Sequence, residues 1–410
     1  MDRLFRVERF DLHRYLVGSL APYVGCFAAW LSEQQYRWKT ARHKIRVVAD
    51  LSLWLERRRL GAVGLDEQVI RRFVHRRRRY DPARAGDVSA AAVMLELLRE
   101  RGVAPPRPAT KTNPRHVIEE AFERYLKEER RLSQASLDNT LPFVRRLLAQ
   151  RFGRSPIVLN ALKPSDVTDF VLQSVRTLSP SRAKLLVGAL RSFFRFLLLR
   201  GEITANRAGA VPTVADWRLS TMPKGIDRGE VQHLLRSCDR RTATGRRDYA
   251  VLLLLARLGL RAGEVAALTL DDIDWATGEI VVRGKGPRLD RLPLPPDVGE
   301  AVVAYLRRRP SCATRRVFVT VRAPVRELAD HGTVGCIVAR GLTRAGLDPP
   351  HKGAHVLRHA LASDLLRRGA SLPEIGELLR HRRLDTTAIY AKVDLAALRA
   401  LALPWPGCGA

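Results

Sequence analysis

The sequence predicts a mainly helical protein with a small antiparallel β-sheet, and three observations carry that prediction. Apolar residues recur at three- and four-residue intervals over most of the chain, the period of one helix face. Two proline-rich breaks cut the chain into segments of domain size: Gly102-Val-Ala-Pro-Pro-Arg-Pro108 running on to Pro114, and the stretch from Ala208 through Pro212 to Pro223. Only the third segment contains short β-prone runs separated by glycine turns. The expected domains are an extra N-terminal helical one at 1–104, a second helical one at 114–210 and a mixed α/β one at 224–403, with a tail at 404–410.

In the first segment, Trp30-Leu31 begins a helix–loop–helix stretch that ends in Leu65-Asp-Glu-Gln-Val-Ile-Arg-Arg-Phe73. Tyr125-Leu126 begins a similar one ending in Leu162-Lys-Pro-Ser-Asp-Val-Thr-Asp-Phe170, at an offset that drifts only from 95 (125 − 30) to 97 (170 − 73). The pattern reads either as a weak duplication of a small helical bundle or as the likeness of any two helical hairpins. In the second segment, Val117–Leu126 and Ser136–Gln150 read as helices, the latter with Pro142 inside it at the cost of a kink or a late start. Pro164 suits the first turn of a third helix. Ser181–Leu199 is a long helix whose cations, Arg182, Lys184 and Arg191 among them, favour contact with DNA. The competing reading is a core helix with snorkelling arginines.

The third segment opens with an apolar helix, Asp248–Leu258, which Gly259 is placed to end. Ile273–Trp275, Glu279–Arg283 and Arg291–Leu294 read as short strands, with turns at Thr277-Gly278 and Gly284-Lys-Gly-Pro287. Pro296–Arg309, His331–Ala345, Val356–Arg368 and Leu372–Leu379 read as helices. Asp385-Thr-Thr387 has the composition of a helix start. Asp394–Leu403 reads as an apolar tail helix before Pro404-Trp-Pro406.

Composition narrows the partner. Lys and Arg number 72 against 42 Asp and Glu, a formal net charge of +30. Such a field favours a polyanion, and double-stranded DNA leads over a membrane surface. Arg191 and Arg195 interrupt the apolar run Leu185–Leu199, and Val251–Leu255 is too short, so no transmembrane helix is expected. The first ten residues carry Asp2, Arg3, Arg6, Glu8 and Arg9, unlike a signal peptide. Cys26, Cys238, Cys312, Cys336 and Cys408 form no CxxC pair and read as free thiols, which places the protein in the cytoplasm.

Six residues of the third segment form a chemical set. A phosphodiester under attack spreads negative charge over its non-bridging oxygens. Arg261 and Arg358 offer permanent, planar, bidentate charge to them. His355 lies three residues before Arg358, on the same helix face, and His381 can add a hydrogen bond. Lys285, on a two-glycine turn, can protonate a departing sugar oxygen. Tyr390 supplies a phenol able to form a phosphoester. Glu264 reads as an ion-pair partner that orients Arg261, and His359 as structural.

The set resembles the tyrosine recombinases, also called phage integrases, over about residues 114 to 400. The intervals agree together: 24 residues from Arg261 to Lys285, an intact His355-x-x-Arg358, and nine from His381 to Tyr390. The resemblance implies a helical core-binding domain at 114–210 and a catalytic domain at 224–403. It implies that Tyr390 attacks DNA to leave a 3′-phosphotyrosyl bond and a free 5′-hydroxyl. Arg261, Arg358, His355 and His381 would bind the scissile phosphate, with Lys285 as general acid. It further implies a homo-tetramer on paired sites and, for a mobile element's integrase, other recombinases of the same element as partners. The tail helix would dock on a neighbouring protomer or on its own domain. Arg380 departs from the family, which usually has glycine before the second histidine, and is expected to crowd the approach to Tyr390.

No cofactor or metal is expected. His351, His355 and His359 are four apart, but Pro349, Pro350 and Gly353 argue against one continuous helix, and no HExxH occurs. Gly284-Lys-Gly lacks the Ser or Thr of a phosphate loop. A type IB topoisomerase and a catalytically silent DNA-binding accessory protein stand as the alternative functions.

Overall fold

The computed structural model describes residues 11–77, 85–107, 114–153, 155–215, 225–284, 289–328, 330–383 and 386–393. Lys285, Asp385, the tail helix expected at 394–403 and Pro404-Trp405-Pro406 lie outside the described residues. The chain divides into two compact units, 107–220 and the remainder, the latter joining 1–106 to 221–410.

The N-terminal part is a four-helix bundle: α1 (Ala21–Glu33), α2 (Trp38–Glu56), α3 (Glu67–Arg77) and α4 (Ala85–Glu100). Its core gathers Phe27, Leu31, Ile45, Val48, Leu51, Phe73 and Met94. A buried carboxylate ties three of its helices: Asp87 of α4 accepts from Arg77 Nε of α3 at 3.1 Å and meets His43 Nε2 of α2 at 2.7 Å. The bundle touches the C-terminal part of its unit. Gln35 Nε2 donates to the Ser311 carbonyl at 2.7 Å, and Ala323 packs against the bundle core.

The second unit is built from α5 (Pro114–Arg124), α6 (Gln134–Phe152), α7 (Pro164–Val175) and α8 (Pro180–Leu199). A single π-turn, Tyr125–Glu129, extends α5. α6 runs straight past the expected start and through Pro142, whose ring lies on the exposed face. Pro164 opens α7, and Asp166 there accepts from the Lys163 backbone N–H at 2.9 Å. Phe122, Tyr125, Phe193 and Phe196 interlock at the core, with Phe122 5.1 Å from Phe193 and 5.2 Å from Phe196. Each buried ring is worth about 2–3 kcal/mol of transfer free energy, so Phe193→Ala alone would cost about 3–5 kcal/mol.

The two bundles share the register of many buried positions. At an offset of 96 (137 − 41), Ala41, Ile45, Val48 and Leu51 of α2 match Leu137, Leu141, Val144 and Leu147 of α6, all buried. Ala90, Ala91, Met94 and Leu98 of α4 match Leu186, Val187, Leu190 and Phe194 of α8 at the same offset, again all buried. Ile70, Phe73 and Val74 of α3 match Val167, Phe170 and Val171 of α7 one residue further on.

The catalytic body begins with α9 (Arg228–Arg236), where Asp227 and Glu230 cap each other's backbone N–H at 2.8 Å. Next comes α10 (Ala243–Leu258), with Val251–Leu255 buried on every side, as expected of a central helix. Gly259, at φ +57°, ends it. The short α11 (Ala262–Ala267) leads into a three-stranded antiparallel sheet, β1 (Ile273–Asp274), β2 (Glu279–Arg283) and β3 (Leu289–Pro293), in the order β1-β2-β3. Ile280 pairs with Leu292 and Val282 with Asp290. α12 (Pro296–Leu306), α13 (His331–Arg344), α14 (His355–Arg367) and α15 (Leu372–Leu378) follow, then a 3-10 segment, Ala388–Val393. The mainly helical class with one small sheet is therefore the observed one. No helix among the described residues is long and apolar enough to cross a membrane.

Candidate active site

The site forms where the ends of α10, α14 and α15 meet. Arg358 sits one turn into α14 and is buried. Its Nη1 donates to the Gly259 carbonyl at the end of α10, and its Nη2 to the Leu379 carbonyl just after α15. Helix ends leave carbonyls without intrahelical partners, and one guanidinium here satisfies two of them. Those bonds use two of its five N–H groups and leave three for a ligand. Burial, together with the cations Arg261 and Arg380, pulls its pKa down to about 10, so it remains charged at neutral pH.

Arg261 stands at the start of α11. Glu264 accepts from its backbone N–H at 2.8 Å and from its Nη1 at 2.6 Å, while its Nη2 donates to the Arg380 carbonyl at 3.3 Å. Glu264 is buried and orients Arg261 in the way the sequence suggests. Arg261, Glu264, Arg283, His331, Gly353 and His355 line one open cleft of about 590 Å³. Burial and the cations Arg358 and Arg261 lower the pKa of His355.

His381 follows α15 directly. Its Nδ1 lies 2.7 Å from the Thr387 hydroxyl, and burial and Arg358 push its pKa down to about 4. Tyr390 is only 2 % exposed and packs on Ala362, Ile375 and Leu379. Its hydroxyl meets His359 Nδ1 at 2.9 Å. Burial raises the phenol's pKa to about 12, although Arg358 opposes the rise. The hydroxyl is thus protonated and buried against His359.

Arg261, His355, Arg358, His381 and Tyr390 therefore converge, while Lys285 lies outside the described residues. Sequence reasoning gives no such role to three residues that touch this set. His359, read as structural, contacts the phenol; its spacing of four from His355, one helical turn, is the signal that could have found it. Thr387 holds His381. Arg380 does not crowd Tyr390: its side chain is buried and turned to Glu264, 2.8 Å away. In the second unit, Lys184 is exposed, and Arg182 donates to Asn139 at 2.9 Å while covering the Phe143 ring. Arg191 faces its own unit, donating to the Val211 carbonyl and Thr213 hydroxyl, each at 3.0 Å.

Electrostatically the site is built for an anion. Arg261 and Arg380 both pair with one buried carboxylate, Glu264, whose charge also reaches Arg358, with Asp290 further off. Uncompensated cations in a low-dielectric cleft favour a phosphate. Burial first, and this excess of cations second, depresses the imidazole pKa values.

A model of the phage integrase family matches residues 224–396, and a model of the phage integrase N-terminal SAM-like domain matches 120–201. Integrase/recombinase y4rA of Sinorhizobium fredii is 46 % identical over 401 residues, 97 % of each chain. Tyrosine recombinase XerC of Azotobacter vinelandii is 31 % identical over 287 residues, 69 % of this chain and 93 % of the relative. Among solved structures, the XerH recombinase bound to palindromic difH substrate shares the fold at a TM-score of 0.53 and 20 % identity, covering 69 % of this chain and 83 % of that one. A lambda integrase dimer on a COC′ core site does so at 0.52 and 17 %, covering 78 % and 90 %. Family models and relatives together define a DNA breaking-and-rejoining enzyme that carries out site-specific recombination. The chain belongs to the tyrosine recombinase, or phage integrase, family.

Proposed function

We propose that this enzyme integrates and excises a mobile element through a covalent phosphotyrosyl intermediate. The observation that carries the reading is a cleft lined by Arg261 and His355, with Arg358 close enough to act electrostatically on His355, His381 and Tyr390. The phenol oxygen attacks phosphorus and gives up its proton to water in the open cleft, the P–O5′ bond breaks, and the 5′ oxygen leaves as a hydroxyl protonated by Lys285. The 3′-phosphotyrosyl bond retains the energy of the broken linkage, so rejoining needs no nucleotide cofactor. Arg261 and Arg358 stabilise the charge on the non-bridging oxygens, and His355 and His381 hydrogen-bond to them.

The bundle at 114–210 grips the duplex through Arg182 and Lys184. The bundle at 1–104, which shares its buried register, adds a second grip. Exchange takes place in a homo-tetramer on paired sites, in company with other recombinases of the same element. Integrase relatives such as y4rA support the mobile-element reading.

A nicked suicide duplex tests the chemistry. The unmutated protein should form a covalent protein–DNA adduct that Tyr390→Phe cannot form. An unmutated protein that binds the duplex without an adduct would make this a DNA-binding accessory protein. Supercoil relaxation without joining of two sites would make it a topoisomerase.

A further inference from the structure

Arg380 occupies a position built for glycine. Its φ is +55°, in the left-handed region that L side chains avoid. Yet its guanidinium is buried against the site. Nη2 donates to Glu264 at 2.8 Å, and Glu264 holds Arg261 by backbone and side chain alike. Arg261 closes the ring by donating to the Arg380 carbonyl. The second arm points elsewhere: Nε lies 3.8 Å from Asp290 Oδ2 and is buried with no hydrogen-bond acceptor. Asp290 is on β3, paired with Val282 of β2, and Lys285 lies between these two strands in the sequence.

Buried polar groups rarely go unpaired, and strained backbone persists only where its surroundings enforce it. An arginine retained here at both costs points to a task in the cleft. We propose that Arg380 is a positioning residue that fastens the β2–β3 hairpin, and with it the Lys285 amine, to the Glu264–Arg261 pair. The inference rests on the reading of Lys285 as general acid.

A duplex with sulfur in place of the bridging 5′ oxygen at the scissile bond isolates this role. A thiolate departs without a proton, so a defect in proton delivery disappears on that substrate. Arg380→Gly suits the local φ. It should bind DNA like the unmutated protein, form adduct at least tenfold more slowly on the ordinary nicked duplex, and recover to within threefold on the sulfur duplex. Asp290→Asn, on the exposed hairpin, should show the same pattern, and Arg380→Lys a smaller defect. Full speed of Arg380→Gly on the ordinary duplex would overturn the proposal, as would equal slowing on both substrates. Lys285→Ala on the sulfur duplex checks the underlying reading: failure to recover there refutes the acid role itself, whatever Arg380→Gly does.

Discussion

The Tyr390 hydroxyl and His359 Nδ1 lie 2.9 Å apart, one turn of α14 beyond His355. The nucleophile is thus stored against a neutral imidazole whose pKa burial holds near 4. Such a ring is a poor base at neutral pH but a good hydrogen-bond partner. His359 stabilises the inward phenol and does not activate it. Removing the ring leaves a buried hydroxyl unpaired, which costs about 1–3 kcal/mol and biases the segment outward. His359→Ala should therefore make Tyr390 roughly tenfold more reactive to nitration in free protein and leave adduct formation as fast or faster. A hundredfold slower cleavage would show that His359 takes the proton.

Tyr390→Phe separates chemistry from folding. The ring keeps its packing on Ile375 and Leu379 and loses only the hydroxyl. Adduct should vanish, DNA affinity should stay within about twofold, and unfolding free energy should change by about 1 kcal/mol. A much larger loss of stability would mean that the hydroxyl does structural work beyond its bond to His359.

Arg358 joins the two functions. Its bonds to the Gly259 and Leu379 carbonyls hold the ends of α10 and α15 together, and its charge acts on His355, His381 and Tyr390. Arg358→Ala leaves both carbonyls without their donor and opens a cavity, for an expected loss of about 3 kcal/mol measured by denaturant unfolding. Arg358→Lys keeps one positive charge but cannot span both carbonyls, so adduct formation should fall about a hundredfold with a smaller stability loss. Unchanged cleavage in the lysine variant would remove Arg358 from the phosphate site.

Much of this arrangement is legible in the chain, and the parts that are not share a physical cause. The strand Glu279–Arg283 and the helix starting at Pro296 follow from local signals, β-branched runs and an N-terminal proline, and local signals are what sequence displays. The helices α9 and α11 escape such a reading, because each is short and its marker is a reciprocal cap of two side chains. The spacing of Arg261, His355, Arg358, His381 and Tyr390 identifies the set. Spacing does not tell that Tyr390 is buried, since that depends on packing against Ile375 and Leu379. Nor does it place Arg380, whose left-handed backbone aims its side chain at a carboxylate 116 residues away.

The imidazoles predict a pH dependence of definite sign. His359 and His381 both titrate near 4 in the folded protein, against about 6.5 when unfolded. Between those values the unfolded chain binds protons that the folded one does not, so acid favours unfolding. Their stabilisation is full above about pH 6.5 and is lost as pH falls towards 4. With solvent screening of these half-buried rings, the loss between pH 7 and 5 should be about 2 kcal/mol for the pair. A variant with both replaced by glutamine should lose that much less over the same interval. An identical pH profile in the two proteins would place the rings in ordinary solvent.

The common register of the two bundles makes a last prediction, because they share inward positions and not outward ones. Lys39, Arg42 and Arg46 lie exposed along one face of α2, and the matching positions of α6 are Ala135, Asp138 and Pro142. Conversely, Arg182 and Lys184 of α8 stand where α4 has Gly86 and Val88. If both bundles grip DNA, they do so through different helices, and their effects on affinity should add independently. Each phosphate that the protein no longer neutralises lowers the slope of log affinity against log salt by about 0.9. Replacing Lys39, Arg42 and Arg46 with glutamine should reduce the slope by up to about 2.7, and replacing Arg182 and Lys184 by up to about 1.8. The five substitutions together should approach the sum, as expected of sites with no shared partner. A slope unchanged by the α2 substitutions, alongside a reduced one for α8, would leave the first bundle folded like the second but without its hold on DNA.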